Sequence, residues 1–192
     1  MYQLLTKYLH ERITLSEEQF ELIFSLFKLR KVQRNEILFN KGQICKHFYF
    51  VNKGCIRMFY VHPNGTEITR YFAFEKNFGT AFASFITQKP SLEYIQAVEK
   101  SELLSIFRND FYQILETIPL FEKIYRHILE ASHENNSQRI ESLLGKNAKE
   151  RYVSLMKQNP GMTERISNKL VASYLGISPE TLSRIKRQFT FS

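Results

Sequence analysis

The side chains best suited to chemistry lie together near the C-terminus, in the run Ser167-Asn-Lys-Leu-Val-Ala-Ser-Tyr-Leu-Gly-Ile-Ser-Pro-Glu-Thr-Leu-Ser-Arg-Ile-Lys-Arg-Gln-Phe189. Ser167 is placed to cap a helix whose inner face is Leu170, Val171 and Leu175. Ala172 is small where a second helix must approach, and Gly176 stands where the first helix ends and φ turns positive. Ser178 caps the second helix, with Pro179 at its first position, where a missing N–H costs nothing. Leu182, Ile185 and Phe189 supply its inner face. That leaves Pro179, Glu180, Thr181, Ser183, Arg184 and Arg187 on or near the outer face, a mixture of donors, acceptors and positive charge able to meet base edges and phosphates. A plain helical hairpin shares some of these features. Small residue, turn glycine, cap, proline and apolar spacing together predict a helix-turn-helix that binds double-stranded DNA.

Other chemistries find little support. Cys45 and Cys55 are too few for a disulfide framework and lack the clustered partners of a zinc or iron–sulfur site. The histidines at 10, 47, 62, 127 and 133 form no closely spaced metal pair. The chain has no GxSxG elbow, P-loop, HExxH or glycine-rich dinucleotide turn. The expectation is therefore a protein that is not an enzyme and carries no metal or cofactor. A cupin-type metal enzyme would need clustered His and Glu ligands that these strands do not offer.

The elements that must position the C-terminal motif follow from patterning. The chain has 192 residues, 43% of them hydrophobic and 14% aromatic, enough for packed cores without disulfides. The net charge of +8 permits a polyanionic partner. From residue 133 onward ten Lys and Arg face five Asp and Glu, whereas residues 1 to 132 hold 17 against 14, so the excess is concentrated in the final third. The N-terminal MYQLLTKYLHERITL is interrupted by Lys7, His10, Glu11 and Arg12, and no later stretch approaches the roughly 18 uninterrupted apolar residues of a membrane span. A soluble, cytoplasmic protein is expected, with no membrane partner.

Ser16-Glu-Glu-Gln19 is a capping-box pattern ahead of Phe20, Ile23, Phe24 and Phe27 at helical spacing. From Glu36 to Phe107, short aromatic and β-branched runs alternate with turn signals, as antiparallel strands require. Pro63-Asn64-Gly65 marks the sharpest hairpin, Asn-Gly being suited to positive φ, and Gly42 and Gly54 mark further corners. Helical patterning returns from Asp110 to about Leu144, with Pro119 able to start a new helix. Phe121, Ile124, Ile128, Ala131 and Asn135 follow the spacing of a heptad seam, the expected interface of a homodimer. The resulting division is a β-roll with N-terminal helices over 1–109, a dimerisation helix over 110–138 and a DNA-binding domain over 139–192.

The segment KERYVSLMKQNPGMTERISNKLVASYLGISPETLSRIKRQF resembles the C-terminal domain of the CRP/FNR family of regulators, above all its short Bacteroidetes-type members. The stretch ILFNKGQICKHFYFVNKGCIRMFYVHPNGTEITRYF resembles the family's cyclic-nucleotide-binding-like β-roll. The resemblance implies an α+β chain: a jelly-roll-like antiparallel β-roll, a long dimerisation helix and a winged-helix-type helix-turn-helix domain, with no wing expected after the recognition helix. It implies that Glu180 and Arg184 read bases, with Thr181, Ser183 and Arg187 close by, while Ser167, Asn168 and Lys169 meet phosphates. Pro179 stands where the best-known member has a basic residue. Implied partners are double-stranded DNA, a second copy of the chain, RNA polymerase and an unidentified small-molecule effector.

Cyclic-AMP-binding members grip ribose with a glycine–glutamate step and the cyclic phosphate with a later arginine–serine step. The matching positions here are Gly79, Thr80 and Ala81, then Ser91 and Leu92, with Glu93 adding a negative charge. Without a cation, desolvating a phosphate would go uncompensated, so cyclic AMP is not expected to bind in the usual manner. Those five positions remain the expected effector pocket, against a roll filled by Phe72, Phe74, Phe78, Phe82 and Phe85. The rival functional reading is a β-roll that binds a small molecule or protein and no DNA.

Overall fold

The computed structural model describes residues 1–190, with side chains through Gln188, and begins with two helices, α1 (Gln3–His10) and α2 (Glu17–Leu26). Ser16 starts the second as its pattern predicts. The Gln19 N–H donates to Ser16 Oγ at 3.3 Å, and the Ser16 N–H donates to Gln19 Oε1 at 3.0 Å.

The strands then follow as β1 (Lys28–Val32), β2 (Ile37–Phe39), β3 (His47–Lys53), β4 (Ile56–Val61), β5 (Glu67–Ala73), β6 (Phe78–Gly79), β7 (Tyr94–Ala97) and β8 (Ser101–Phe107), with α3 (Phe82–Thr87) between β6 and β7. They form two four-stranded sheets, ordered β1-β8-β3-β6 and β2-β7-β4-β5. Pairing is antiparallel, as in Phe50 opposite Leu104 and Met58 opposite Ile95. This is the expected jelly-roll-like β-roll.

The β4–β5 turn differs in detail from its prediction. Only Gly65 has positive φ, at 84°, and Asn64 does not. Pro63 holds its own φ near −65°, which suits the first central position of a type I turn closed by a left-handed glycine rather than a mirror-image turn. His62 and Thr66 close it, the His62 N–H donating to the Thr66 carbonyl at 2.9 Å.

Phe48 centres the roll's core. Its ring lies 5.1 Å from Phe78, 5.2 Å from Phe85 and 5.1 Å from Phe111. Aromatic rings at these separations add edge and offset-stacking attraction to their area burial. Phe72, Phe78 and Phe85 are buried as a packed roll requires, while Phe74 and Phe82 are half-buried.

The helical stretch after the strands is two helices, α4 (Arg108–Thr117) and α5 (Phe121–Gly145), separated around Pro119. The seam read from spacing has a different occupant from the one expected. Phe121, Ile124 and Ile128 are 0%, 0% and 7% exposed within the single chain, packed in the same core as Phe111. Asn135 is exposed and donates back to the Ala131 carbonyl at 2.7 Å. Helical spacing reports a shared face without reporting what covers it. The exposed apolar residues of this helix are Leu129, Ile140, Leu143 and Leu144, which fall on one side at steps of about 100° per residue.

The chain ends in α6 (Ala148–Gln158), α7 (Met162–Arg165), α8 (Asn168–Leu175) and α9 (Pro179–Thr190). Between α6 and α8 stands a short connection containing α7, and no strand follows β8 among the described residues. Contacts divide the chain into one unit of residues 1–60 and 71–130, and a second of 61–70 and 131 onward.

Ile124→Ala should lower the unfolding free energy by about 2–5 kcal/mol, the usual cost of truncating a fully buried aliphatic side chain. Urea unfolding followed by circular dichroism measures it. A loss under about 0.5 kcal/mol, the scale of surface changes, would contradict burial within the protomer.

Candidate nucleic-acid interface

The C-terminal unit has its own small core. Leu155, Met162, Ile166, Val171, Ala172, Leu175, Leu182 and Ile185 are all buried. Leu170 is half-buried, and Phe189 lies outside the residues whose side chains are described. Gly176 ends α8 in the left-handed region, φ 66°, and the Ile177 N–H donates to the Ala172 carbonyl at 3.1 Å. That reversal brings α9 back across α8.

Ser178 caps α9, its Oγ accepting from the Thr181 N–H at 3.2 Å. Ser167 occupies the capping position of α8 but makes no side-chain capping bond, contrary to its expected role, and its side chain is exposed. Lys169 and Asn168 are exposed beside it.

With Leu182 and Ile185 inward, Ser178, Pro179, Glu180, Arg184 and Arg187 are exposed, and Thr181 and Ser183 are half-exposed. Arg184 Nη2 donates to Thr181 Oγ1 at 3.2 Å, and Ser183 Oγ donates to the Pro179 carbonyl at 3.0 Å. The hydrogen bond from Ser178 holds the Glu180 carboxyl below its ordinary pKa, so it is an acceptor at neutral pH. Lys186 was missed by outer-face reasoning. It is half-buried on the flank of α9, where its Nζ donates to Asn168 Oδ1 at 2.6 Å, and only the packing of α9 on α8 reveals that pair.

Of the five residues expected to line an effector pocket, Gly79, Thr80, Ala81 and Ser91 are buried in the roll. Thr80 is 1% exposed, its hydroxyl donating to the His47 carbonyl at 2.8 Å beside Cys45 Sγ at 3.2 Å. Ser91 is buried and accepts from the Glu93 N–H at 2.9 Å. Leu92, by contrast, is exposed. A Cβ at Gly79 would stand 2.8 Å from Ile56 Cδ1 and 3.2 Å from Met58 Cε, so a larger residue there must displace the ends of those side chains. Ala81 is buried at the start of α3. The cation that the strands do bury is Arg57, whose Nε and Nη2 donate to Gln96 Oε1 at 2.8 and 2.6 Å and whose guanidinium lies 3.9 Å from the Phe59 ring. In CIRMFYV it read as an ordinary strand position.

Among the described residues no group of three or more His, Cys, Asp or Glu could hold a metal ion, and no helix is long and apolar enough to cross a membrane.

Residues 29–118 match the cyclic nucleotide-binding domain family. The chain is 26% identical over 176 residues to the cyclic AMP receptor protein of Thermus thermophilus, covering 89% of this chain and 81% of that protein. Its fold is similar to a regulator assigned to the CRP/FNR family from Eubacterium rectale, with TM-score 0.76 at 20% identity over 96% of this chain and 88% of that one. It is also similar to the c-di-GMP-responsive global regulator CLP of Xanthomonas campestris, with TM-score 0.74 at 16% identity over 91% and 92%. Over most of its length the chain is thus similar in sequence to a cyclic AMP receptor protein and in fold to regulators of the CRP/FNR type.

Ser178→Ala should destabilise the C-terminal helices by about 1 kcal/mol through loss of the α9 cap. Amide exchange of α9 should quicken while exchange in the roll strands stays unchanged. Equal protection in both proteins would mean that the cap contributes nothing.

Proposed function

We propose that the chain is a homodimeric transcription regulator that reads a palindromic DNA site by laying α9 in the major groove. The observation that carries this is the division of α9 between anchored Leu182 and Ile185 and exposed Glu180, Arg184 and Arg187. Arg can donate in bidentate fashion to guanine O6 and N7, and ionised Glu can accept from a cytosine amino group. Thr181, Ser183 and Pro179 would stand beside them, and Ser178, Ser167, Asn168 and Lys169 would meet phosphates, with Lys186 holding Asn168. Uncapped by its serine, the start of α8 leaves both its hydroxyl and its positive dipole end for a phosphate.

Two copies pair through the exposed side of α5, at Leu129, Ile140, Leu143 and Leu144, since Phe121, Ile124 and Ile128 are already buried in the protomer. A twofold dimer sets two recognition helices about one DNA turn apart and makes the site palindromic. The protein acts in the cytoplasm, has no catalytic role, and meets RNA polymerase at its promoters.

Cyclic AMP is not its effector in the usual manner. The Thr80 and Ser91 hydroxyls are engaged inside the roll, and Leu92 brings no charge. The Thermus relative is a cyclic AMP receptor, but the ribose and phosphate contacts are replaced here. Calorimetry with cyclic AMP should show no site of micromolar or tighter affinity, and such a site would refute this point.

Selection of bound sequences from a random DNA pool at about 150 mM salt, where weak phosphate binding fades, tests the main reading. Wild type should enrich a palindrome. Arg184→Ala should cost about 1–3 kcal/mol and relax one position per half-site, whereas Lys169→Ala should weaken all sequences alike. Failure to enrich any site, with or without cell metabolite extract, would favour the β-roll as a binder of a small molecule or protein.

A further inference from the structure

A second concentration of unpaired positive charge lies away from the recognition face, in a cleft of 220 Å³ bordered by α5, α6 and the end of α8. Arg139, Lys146 and Arg151 line it, against the single carboxylate of Glu141. Their partners are neutral. Arg151 Nε donates to the Leu175 carbonyl at 3.1 Å and its Nη1 to the Lys146 carbonyl at 2.8 Å. Lys146 Nζ donates to Ser154 Oγ at 3.0 Å. Among the described residues none of the three cations forms an ion pair.

Arg139 is the most constrained. It is half-buried, and its guanidinium carbon stacks 4.2 Å from the centre of the Tyr174 ring, which immobilises the plane. A stacked guanidinium directs its N–H donors outward along its edge, the geometry that engages an oxyanion in bidentate fashion. Desolvation pulls its pKa below the ordinary value, opposed by Tyr174 and assisted by the like charge of Arg151. Two guanidinium groups that disfavour each other's charge without a carboxylate between them are stabilised by an anion that enters.

We propose that this cleft binds a phosphate group, held by Arg139 and Arg151 with Lys146 and the hydroxyls of Ser142 and Ser154. Its volume is below the roughly 300–1,000 Å³ of ordinary ligand pockets, which suits an anionic head and not a whole cofactor. Three cations against one carboxylate favour a divalent anion over a monocarboxylate. The group belongs either to a small phosphorylated molecule or to the DNA backbone, and the chemistry is shared. The site is independent of base reading by α9.

Titration calorimetry of the full chain with inorganic pyrophosphate, at low ionic strength and against acetate of matched ionic strength, tests it. Saturable binding of pyrophosphate alone is expected, weakened about tenfold or more in Arg139→Met and in Arg151→Met, the scale of one lost charge-assisted hydrogen bond. Should either variant fail to fold by circular dichroism, Glu141→Gln answers instead, and its affinity should rise severalfold. No saturable binding to wild type, or affinities that these changes leave untouched, would overturn the site. Salt titration of DNA binding separates the sources. A slope that falls by about one in Arg139→Met, with pyrophosphate competing against DNA, assigns the phosphate to the backbone. An unchanged slope in Arg139→Met, with pyrophosphate bound by wild type and not competing against DNA, assigns it to a free phosphorylated molecule.

Discussion

The burial of Leu182 and Ile185 against Val171, Ala172 and Leu175 is the constraint from which the C-terminal unit takes its meaning. A helix of twelve residues cannot hide both sides, so fixing two apolar residues inward turns Glu180, Arg184 and Arg187 outward. Gly176 reverses the chain and Ser178 restarts the helix within three residues. Were Ala172 larger, α9 would be held off and the outward residues would lose their shared orientation.

In the roll the governing rule is that buried polar groups must find partners. Ser84 Oγ donates to the Lys89 carbonyl at 2.6 Å and accepts from the Cys45 N–H at 2.9 Å. Thr80 and Ser101 are similarly engaged with backbone carbonyls. Hydroxyls used in this way tie neighbouring strands and turns together. Thr80 and Ser91 therefore contribute to the roll through their hydroxyl hydrogen bonds as well as by filling space.

Helix α5 shows how one pattern can serve several surroundings. Its first three turns seat Phe121, Ile124 and Ile128 in the roll core, and farther along Arg139 stacks on Tyr174. The apolar residues left outside are a different set, Leu129, Ile140, Leu143 and Leu144. The more regular stripe by heptad spacing is the one covered by the protomer's own core.

Local rules carried much of the fold. Capping boxes, turn glycines, aromatic strand runs and the cap–proline start of α9 are interactions between residues a few positions apart, so the sequence by itself determined the β-roll, the helical tail and the outward face of the helix-turn-helix. Pro63, with φ fixed near −65°, favours the type I turn over a mirror-image turn at Asn64-Gly65. What only the tertiary structure decided are the pairings across distance: Lys186 with Asn168, Arg139 with Tyr174, Arg57 with Gln96, and Ile124 with its own core. The physical reason is that periodicity tells which side chains share a face, whereas partners and solvent exposure depend on what the rest of the chain brings to that face.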